Sequence, residues 1–293
     1  MPALRATGMT ALVAALAAGC GGNDAPELGD PGAALDRAPR ATAEAESARV
    51  ALAATMAVEG VDDRLAFGGQ GALDLEEELG RLELDLSEMA TFRTQGGGTD
   101  ADLWRGTVLY TGDATLMKLP AFNSLTPEPD KWIRWNDEAL VREGGAQFAA
   151  PDPLELLGFV GVTGKDISVE GEEEVRGETT THLRAEVAVG RLALAAAADG
   201  SVEAQAYAQR LQTAGLESFP LDVWLDAAGR IRRLEARYDD LRVSGSQTAD
   251  LVTSVELYDF GSARDVRLPP ASEIVDIADV IGRGPEETEH SEE

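Results

Sequence analysis

A chain of 293 residues is long enough for one large or two small domains, and its 53 acidic against 25 basic side chains leave a net charge of −28. A surface of that sign repels phosphate backbones and anionic headgroups alike, which excludes nucleic-acid binding and membrane docking by charge alone. The single cysteine excludes an internal disulfide, and with only two histidines no zinc cluster can be assembled.

Arg5 and the terminal amine give a thin positive start, followed by an apolar run from Met9 to Ala18. About ten residues is the length of a signal h-region and too short to span a bilayer. The run ends in small side chains, Ala17-Ala18-Gly19, directly ahead of Cys20, the lone thiol. This pattern predicts an export signal over 1–19. Ala17–Cys20 resembles the lipobox of bacterial lipoproteins, which implies a lipid-modified Cys20 and a protein held at the extracytoplasmic face of the cell membrane. The alternative is a signal peptide that happens to contain a cysteine. From Gly21 to Ser47 the sequence is rich in Ala, Pro, Gly and acidic residues, with Pro26, Pro31 and Pro39 set to interrupt a long helix. The expectation is a flexible linker over 20–47, partly helical at most.

The folded domain is expected over 48–282. Val50, Leu52, Ala54, Met56 and Val58 alternate with smaller or polar residues, the period of two of a half-buried strand, with a helix as the competing reading of this Ala-rich run. Leu65 to Leu75 and Leu82 to Leu86 resume the alternation around the acidic turn Glu76–Glu78, predicting a meander. A Gly-rich loop at Gln95–Thr99, strands near Thr107–Tyr110 and Thr115–Leu119, and a strand end or docking turn at Lys131–Trp135 follow. Asn136–Arg142 reads as a short helix, and Asp152 is placed to cap an apolar one through Leu154, Leu156, Leu157, Phe159 and Val160.

In the second half, Ile167 and Val169 lead into a hairpin whose turn is expected at the acidic Glu172–Glu174. Leu183, Ala185, Val187 and Val189 form a strand, with His182 on its opposite, solvent-exposed face. Helices are expected at Ala193–Ala198 and Val202–Gly215, strands at Leu221–Leu225, Ile231–Tyr238 and Leu251–Tyr258, and a final helix at Ser272–Ile281. The tail 283–293 is acidic and reads as disordered. Eight to ten strands in consecutive hairpins, with helices gathered between two halves and near the end, predict an α+β fold. It consists of a single curved antiparallel sheet with helices on one face.

Little in the sequence points to catalysis. The only cysteine is consumed by the anchor, no G-x-S-x-G elbow or S-x-x-K pair occurs, and Gly161–Asp166 lacks the spacing of a phosphate loop. The carboxylates at Glu76–Glu78 and Glu172–Glu174 read as solvated turns, with a weak surface calcium site as the alternative. Trp132 and Trp135 read as packing residues, with a ligand clamp as the alternative. The expectation is therefore a non-enzyme without cofactor or metal. What remains is the apolar inventory: small residues on the inner face of the sheet (Ala54, Gly69, Gly71, Ala185) opposite an apolar helix. They serve either close packing of the layers or a void between them.

Three segments carry a resemblance: Asp152–Leu157 (D-P-L-E-L-L), Gly164–Arg184 (G-K-D-I-S-V-E-G … T-T-T-H-L-R) and Leu221–Leu234 (L-D-V-W-L-D-A-A-G-R-I-R-R-L). With the Cys20 signal and the Leu-rich meander, they resemble the LppX/LprAFG lipoproteins of actinobacteria over roughly Ser47 to Leu268. The resemblance implies a half-open, LolA-like barrel whose helices close the concave face over a hydrophobic cavity for acyl chains. It also implies a lipid or lipoglycan ligand. Periodicity places Leu82, Leu84, Leu154, Leu157, Phe159, Val160, Val223 and Leu225 inward as candidate cavity lining. The competing expectation is a tethered interaction or sensor domain with a filled core and no cargo.

Overall fold

A computed structural model of the chain describes residues 29–88, 100–112, 114–124, 126, 128–135, 152–164, 166–199, 202–244, 247–262 and 266–281. The expected signal 1–19, Cys20, the loop at 95–99, the helix at 136–142 and the tail 283–293 lie outside the described residues.

Twelve strands among the described residues form one unclosed sheet. Six come from the first half of the chain: β1 (Ser47–Val58), β2 (Leu65–Asp74), β3 (Leu79–Asp85), β4 (Arg105–Thr111), β5 (Ala114–Lys118) and β6 (Trp132–Trp135). The second half adds β7 (Ser168–Val175), β8 (Glu178–Ala188), β9 (Ser218–Leu225), β10 (Ile231–Ser244), β11 (Gln247–Tyr258) and β12 (Ile274–Asp276). Their order is β12-β6-β5-β4-β3-β2-β1-β11-β10-β9-β8-β7. Strands β1 to β6 and β7 to β11 are thus two meanders of sequential antiparallel strands, with helices at Val189–Asp199 and Val202–Thr213 between β8 and β9. Strand β1 joins the two by pairing antiparallel with β11. The period-two reading of β1 holds residue by residue: Ala48, Val50, Leu52, Ala54, Met56 and Val58 are buried, while Arg49, Ala53 and Thr55 are exposed. The expected α+β sheet with helices on its inner face is the observed architecture. One pair departs from it, because Ile274–Asp276 extends beside β6 in parallel rather than opening the expected helix at Ser272. A 3-10 turn covers Ala271–Glu273, and α-helix begins only at α5 (Ile277–Ile281).

The remaining helices are α1 (Pro31–Ala43), α2 (Pro153–Phe159), α3 (Val189–Asp199) and α4 (Val202–Thr213). They cover the inner face: α1 packs on β10 and on a 3-10 turn at Val160–Val162, α2 on β3, and α3 on β8 and the same turn. Asp152 caps α2 as expected, its side chain accepting from Leu154 N at 2.8 Å, with Pro153 in the first turn.

The expected linker over 20–47 needs correction. Pro31 sits at the first helical turn of α1, where its missing N–H costs nothing, and the Asp30 side chain caps the helix by accepting from Gly32 N. Ala34, Leu35 and Ala38 are buried in the main core despite Pro39 inside the helix. Thr42 fastens the end of α1 to the sheet. Its hydroxyl donates to Ala38 O at 2.8 Å and accepts from Ile231 N at 2.9 Å. A proline that interrupts a helix interior can equally begin a helix, as Pro31 does. The folded unit therefore starts before 48.

The hairpin turn of β7–β8 also moves. Glu172–Glu174 are exposed residues within β7, and the turn falls at Arg176-Gly177, both in the left-handed region (φ 52° and 83°). Glu78, at φ 53°, marks the acidic β2–β3 turn where it was expected.

Candidate functional site on the concave face

Register places the inner-face side chains in rows across the sheet. One row of large residues runs Leu84, Leu52, Val255, Leu234, Val223, Leu183, interrupted only by Gly69 between Leu84 and Leu52. A few residues further along the strands, another contains Leu65, Met56, Leu251 and Tyr238, and Phe219 pairs with Val187 at its far end. Between them lies a row of mostly small side chains: Phe67, Ala54, Thr253, Ala236, Leu221, Ala185. Side chains stand roughly perpendicular to a sheet, so small residues between two rows of large ones make a trough across the strands. Helices α1 to α4 form the roof, contributing Leu35, Leu156, Phe159, Leu192 and Leu211 to the same apolar interior.

Polar atoms inside this interior are few. The Tyr207 and Tyr238 hydroxyls satisfy each other at 3.0 Å, within an aromatic group formed by Phe159, Tyr207, Phe219 and Tyr238. Among the described residues, two more hydroxyls are buried with no hydrogen-bond partner: Thr253 Oγ1 in the trough and Tyr110 Oη on β4. Burial pushes all three tyrosine hydroxyls above their ordinary pKa, with Asp152 adding to the effect at Tyr110, so they remain neutral donors. An unpaired buried hydroxyl costs about 1–3 kcal/mol, and valine has nearly the shape of threonine. Thr253→Val is accordingly expected to raise the stability of the ligand-free chain by about 1 kcal/mol, or roughly 2–4 °C in Tm. A loss of stability on thermal unfolding would show that the hydroxyl is engaged after all.

Of the eight candidate lining residues, Leu82, Leu84, Leu157, Phe159, Val160, Val223 and Leu225 are buried and belong to one continuous apolar cluster. Leu154 is half-buried and packs against it. Sheet and roof thus bring all eight into one interior. A separate surface groove of about 630 Å³ lies on the outer face, with Ala51, Ala53, Thr55 and Ser254 along it and Glu88, Arg176 and Glu256 among its walls. None of the eight residues lines it. Trp132 and Trp135 cannot clamp one ligand, because they fall on opposite faces of β6. Trp132 packs with Leu109, Leu116 and Val266, whereas Trp135 packs with Phe122. No group of three or more His, Cys, Asp or Glu able to hold a metal occurs among the described residues.

The outer face carries a cluster that sequence reasoning missed. His182 was expected to be exposed, but only 8% of its surface is. Its Nε2 lies 2.7 Å from Asp222 Oδ1 and its Nδ1 3.0 Å from Glu173 Oε1. The ring stacks on Trp224 at 4.2 Å, and Trp224 Nε1 donates to Glu173 Oε2 at 3.0 Å. Asp222, 1% exposed, also accepts from Arg184 Nε and Nη2 at 2.9 and 3.1 Å. Arg233 lies over the Trp224 ring and reaches Glu256, which Arg176 also holds. Burial opposes ionisation of Glu256, but hydrogen bonds from Arg233 and Arg176 outweigh it and hold the carboxyl below its ordinary pKa. Glu173 covers the face of β8 from the neighbouring β7 strand, so a residue pointing away from the core is still buried. Charge in the sequence marks only Arg184 and Asp222, directly opposed on β8 and β9; the β10 neighbour of Asp222 is Glu235, and Arg233 stands opposite Trp224. The cluster contains no nucleophile, and its geometry is that of a strap across β7 to β11.

No family model matches the chain. Among curated proteins, an uncharacterised 31.2 kDa protein of Streptomyces griseus from the rplA–rplJ intergenic region is 24% identical over 165 residues. That match covers 52% of this chain and 50% of the relative, so the chain spans about half the length of the curated relative it matches. Among solved structures, the chain is similar to the lipoprotein LppX of Mycobacterium tuberculosis, with 14% identity over 80% of this chain and 99% of that one (TM-score 0.41). It is also similar to LprF of Mycobacterium bovis, with 10% identity over 84% and 98% (TM-score 0.40). A LolA superfamily protein of Nitrosomonas europaea is 12% identical over 80% and 94% (TM-score 0.32). LppX and LprF are of the group that the three sequence segments resemble.

Proposed function

We propose that the chain is an envelope lipoprotein that binds, and carries, an acyl chain of a lipid or lipoglycan between its concave sheet and its helices. A lipid on Cys20 holds it at the extracytoplasmic face of the cell membrane. The observation that supports the reading is the trough at Ala54, Thr253, Ala236 and Ala185, roofed by helices, with the unpartnered Thr253 hydroxyl set among mostly apolar side chains. An acyl chain needs no chemistry to be held there, since each buried CH₂ contributes about 0.8 kcal/mol. The lining is assigned to Leu82, Leu84, Leu154, Leu157, Phe159, Val160, Val223 and Leu225, and the Thr253 hydroxyl is suited to an ester or carboxyl oxygen at the end of the chain. Transfer would follow displacement of α2, a helix of seven residues or about two turns.

Native mass spectrometry of the full chain, extracted in mild detergent, tests the reading. The expected result is a reproducible lipid adduct that disappears on delipidation. A clean unliganded mass from independent preparations would overturn it in favour of a tethered interaction domain with a filled core. The anchor is tested separately: Cys20→Ser should release the protein from the membrane fraction, and undiminished retention would refute the lipid on Cys20.

A further inference from the structure

We propose that the exposed face of α3 docks on the lipid bilayer, so that the helical roof rather than the sheet faces the membrane. The inference rests on the lipid anchor at Cys20 proposed above. Helix α3 buries Val189, Leu192 and Ala196 and leaves Gly190, Leu194, Ala197 and Ala198 exposed on its opposite side. These positions, spaced i, i+4, i+7 and i+8, fall on one face. Leu194 is 73% exposed, the most exposed large apolar side chain among the described residues. Arg191, also exposed, stands at the margin of this face, where an arginine can reach headgroups while its stem lies along apolar surface.

Charge and covalent length both point to a bilayer as the occupant. Helices α1 to α4 contain four acidic residues (Asp36, Glu155, Asp199, Glu203) and four basic ones (Arg37, Arg40, Arg191, Arg210). They are neutral in sum, while the chain as a whole carries −28. The layer bearing the apolar face therefore carries little of the charge that an anionic membrane repels, even with the caps Asp30, Glu44 and Asp152 counted. The anchor also arrives on this side. Cys20 is followed after eight residues by Gly29, which leads into α1, and that stretch spans at most about 30 Å fully extended. Helix α1 packs on the Val160–Val162 turn, and the same turn packs on α3. A lipid on Cys20 consequently keeps α3 within reach of the bilayer. Docking there would set the roof of the acyl-chain site against the membrane from which cargo comes.

The test uses the acylated full-length protein in phosphatidylethanolamine–phosphatidylglycerol vesicles. With Cys20 acylated, Leu194→Cys offers the only free thiol for an environment-sensitive fluorophore. Leu268→Cys, at a position 52% exposed and close in sequence to Val266 of the outer-face cluster with Trp132, is the control. Brominated lipids should quench the label at 194 roughly threefold more than the label at 268, with a blue shift at 194 only. Equal, water-like signals at both positions on acylated, vesicle-bound protein would overturn the docking and leave the anchor standing. A chain that lacks the acyl mass and stays off the vesicles would overturn both. Shielding at 194 that appears without vesicles and grows with protein concentration would mean that a second copy covers the face, which also overturns the proposal.

Discussion

Replacing Gly71 with alanine is expected to destabilise the fold by about 3 kcal/mol or more, because the added methyl has nowhere to go. Gly71 lies in β2 between Val50 of β1 and Leu82 of β3. A Cβ built on it would fall 1.8 Å from the Arg81 carbonyl oxygen and 2.7 Å from the carbonyl carbon. Those are backbone atoms of the neighbouring strand, so no side-chain rotation relieves the clash. Only a local break in β2–β3 pairing can. Gly69 and Gly106 face the same obstacle, at 2.3 Å from Glu83 O and 2.2 Å from Lys118 O, so the close approach recurs between β4 and β5. The strain should appear as a fall in Tm of roughly 6–12 °C on thermal unfolding. Gly158 is the internal control. It lies in α2, where a Cβ would meet nothing within 4 Å, and its replacement by alanine should gain up to about 1 kcal/mol from helix propensity. Equal stability of Gly71→Ala and the parent protein would show that β2 and β3 lie further apart than described.

The same glycines show how far the sequence could be read. Gly69 and Gly71 fall on the inward phase of an alternating run, and that phase is correct because a strand has only two faces and Leu73 fixes one of them. Periodicity also locates nearly every strand and brings Leu84 and Val223 onto one face. Long-range pairing was not legible: nothing in either half says that β1 and β11 lie side by side, yet that pairing sets Ala54 beside Thr253 and creates the trough. Thr253 itself has no local signal, since a threonine on an inward phase reads as tolerated polarity until its neighbours are known. Helix α1 escapes notice for a different reason. Its composition is that of a linker, and what shows that it folds is the tertiary contacts of Leu35 and Thr42. For His182 the phase is right and the conclusion wrong, because an outward position is solvent-exposed only where nothing else crosses the outer face.

That last case leads to the second large expected effect. Asp222→Ala should lower stability by about 3 kcal/mol, since truncation removes the buried partner of two cationic or donor side chains. Asp222 is 1% exposed and holds His182 Nε2 at 2.7 Å and Arg184 in a two-point contact. After truncation, Arg184, whose side chain is 46% exposed, can turn to solvent. His182 cannot: stacked on Trp224 and covered by Glu173, it keeps one carboxylate and leaves Nε2 facing a cavity. The cost should therefore follow the histidine more than the arginine. Arg184→Ala alone is expected to cost only about 1 kcal/mol, as for a half-exposed ion pair. In a double-mutant cycle, Asp222 should couple more strongly to His182 than to Arg184. Because Glu173 belongs to the edge strand β7, the truncation should also raise amide hydrogen exchange across β7 while leaving β1–β3 unchanged. Uniform exchange across the sheet, or an Asp222→Ala protein as stable as the parent, would mean that the strap contributes nothing to holding β7, and that its edge is fixed by backbone pairing to β8 alone.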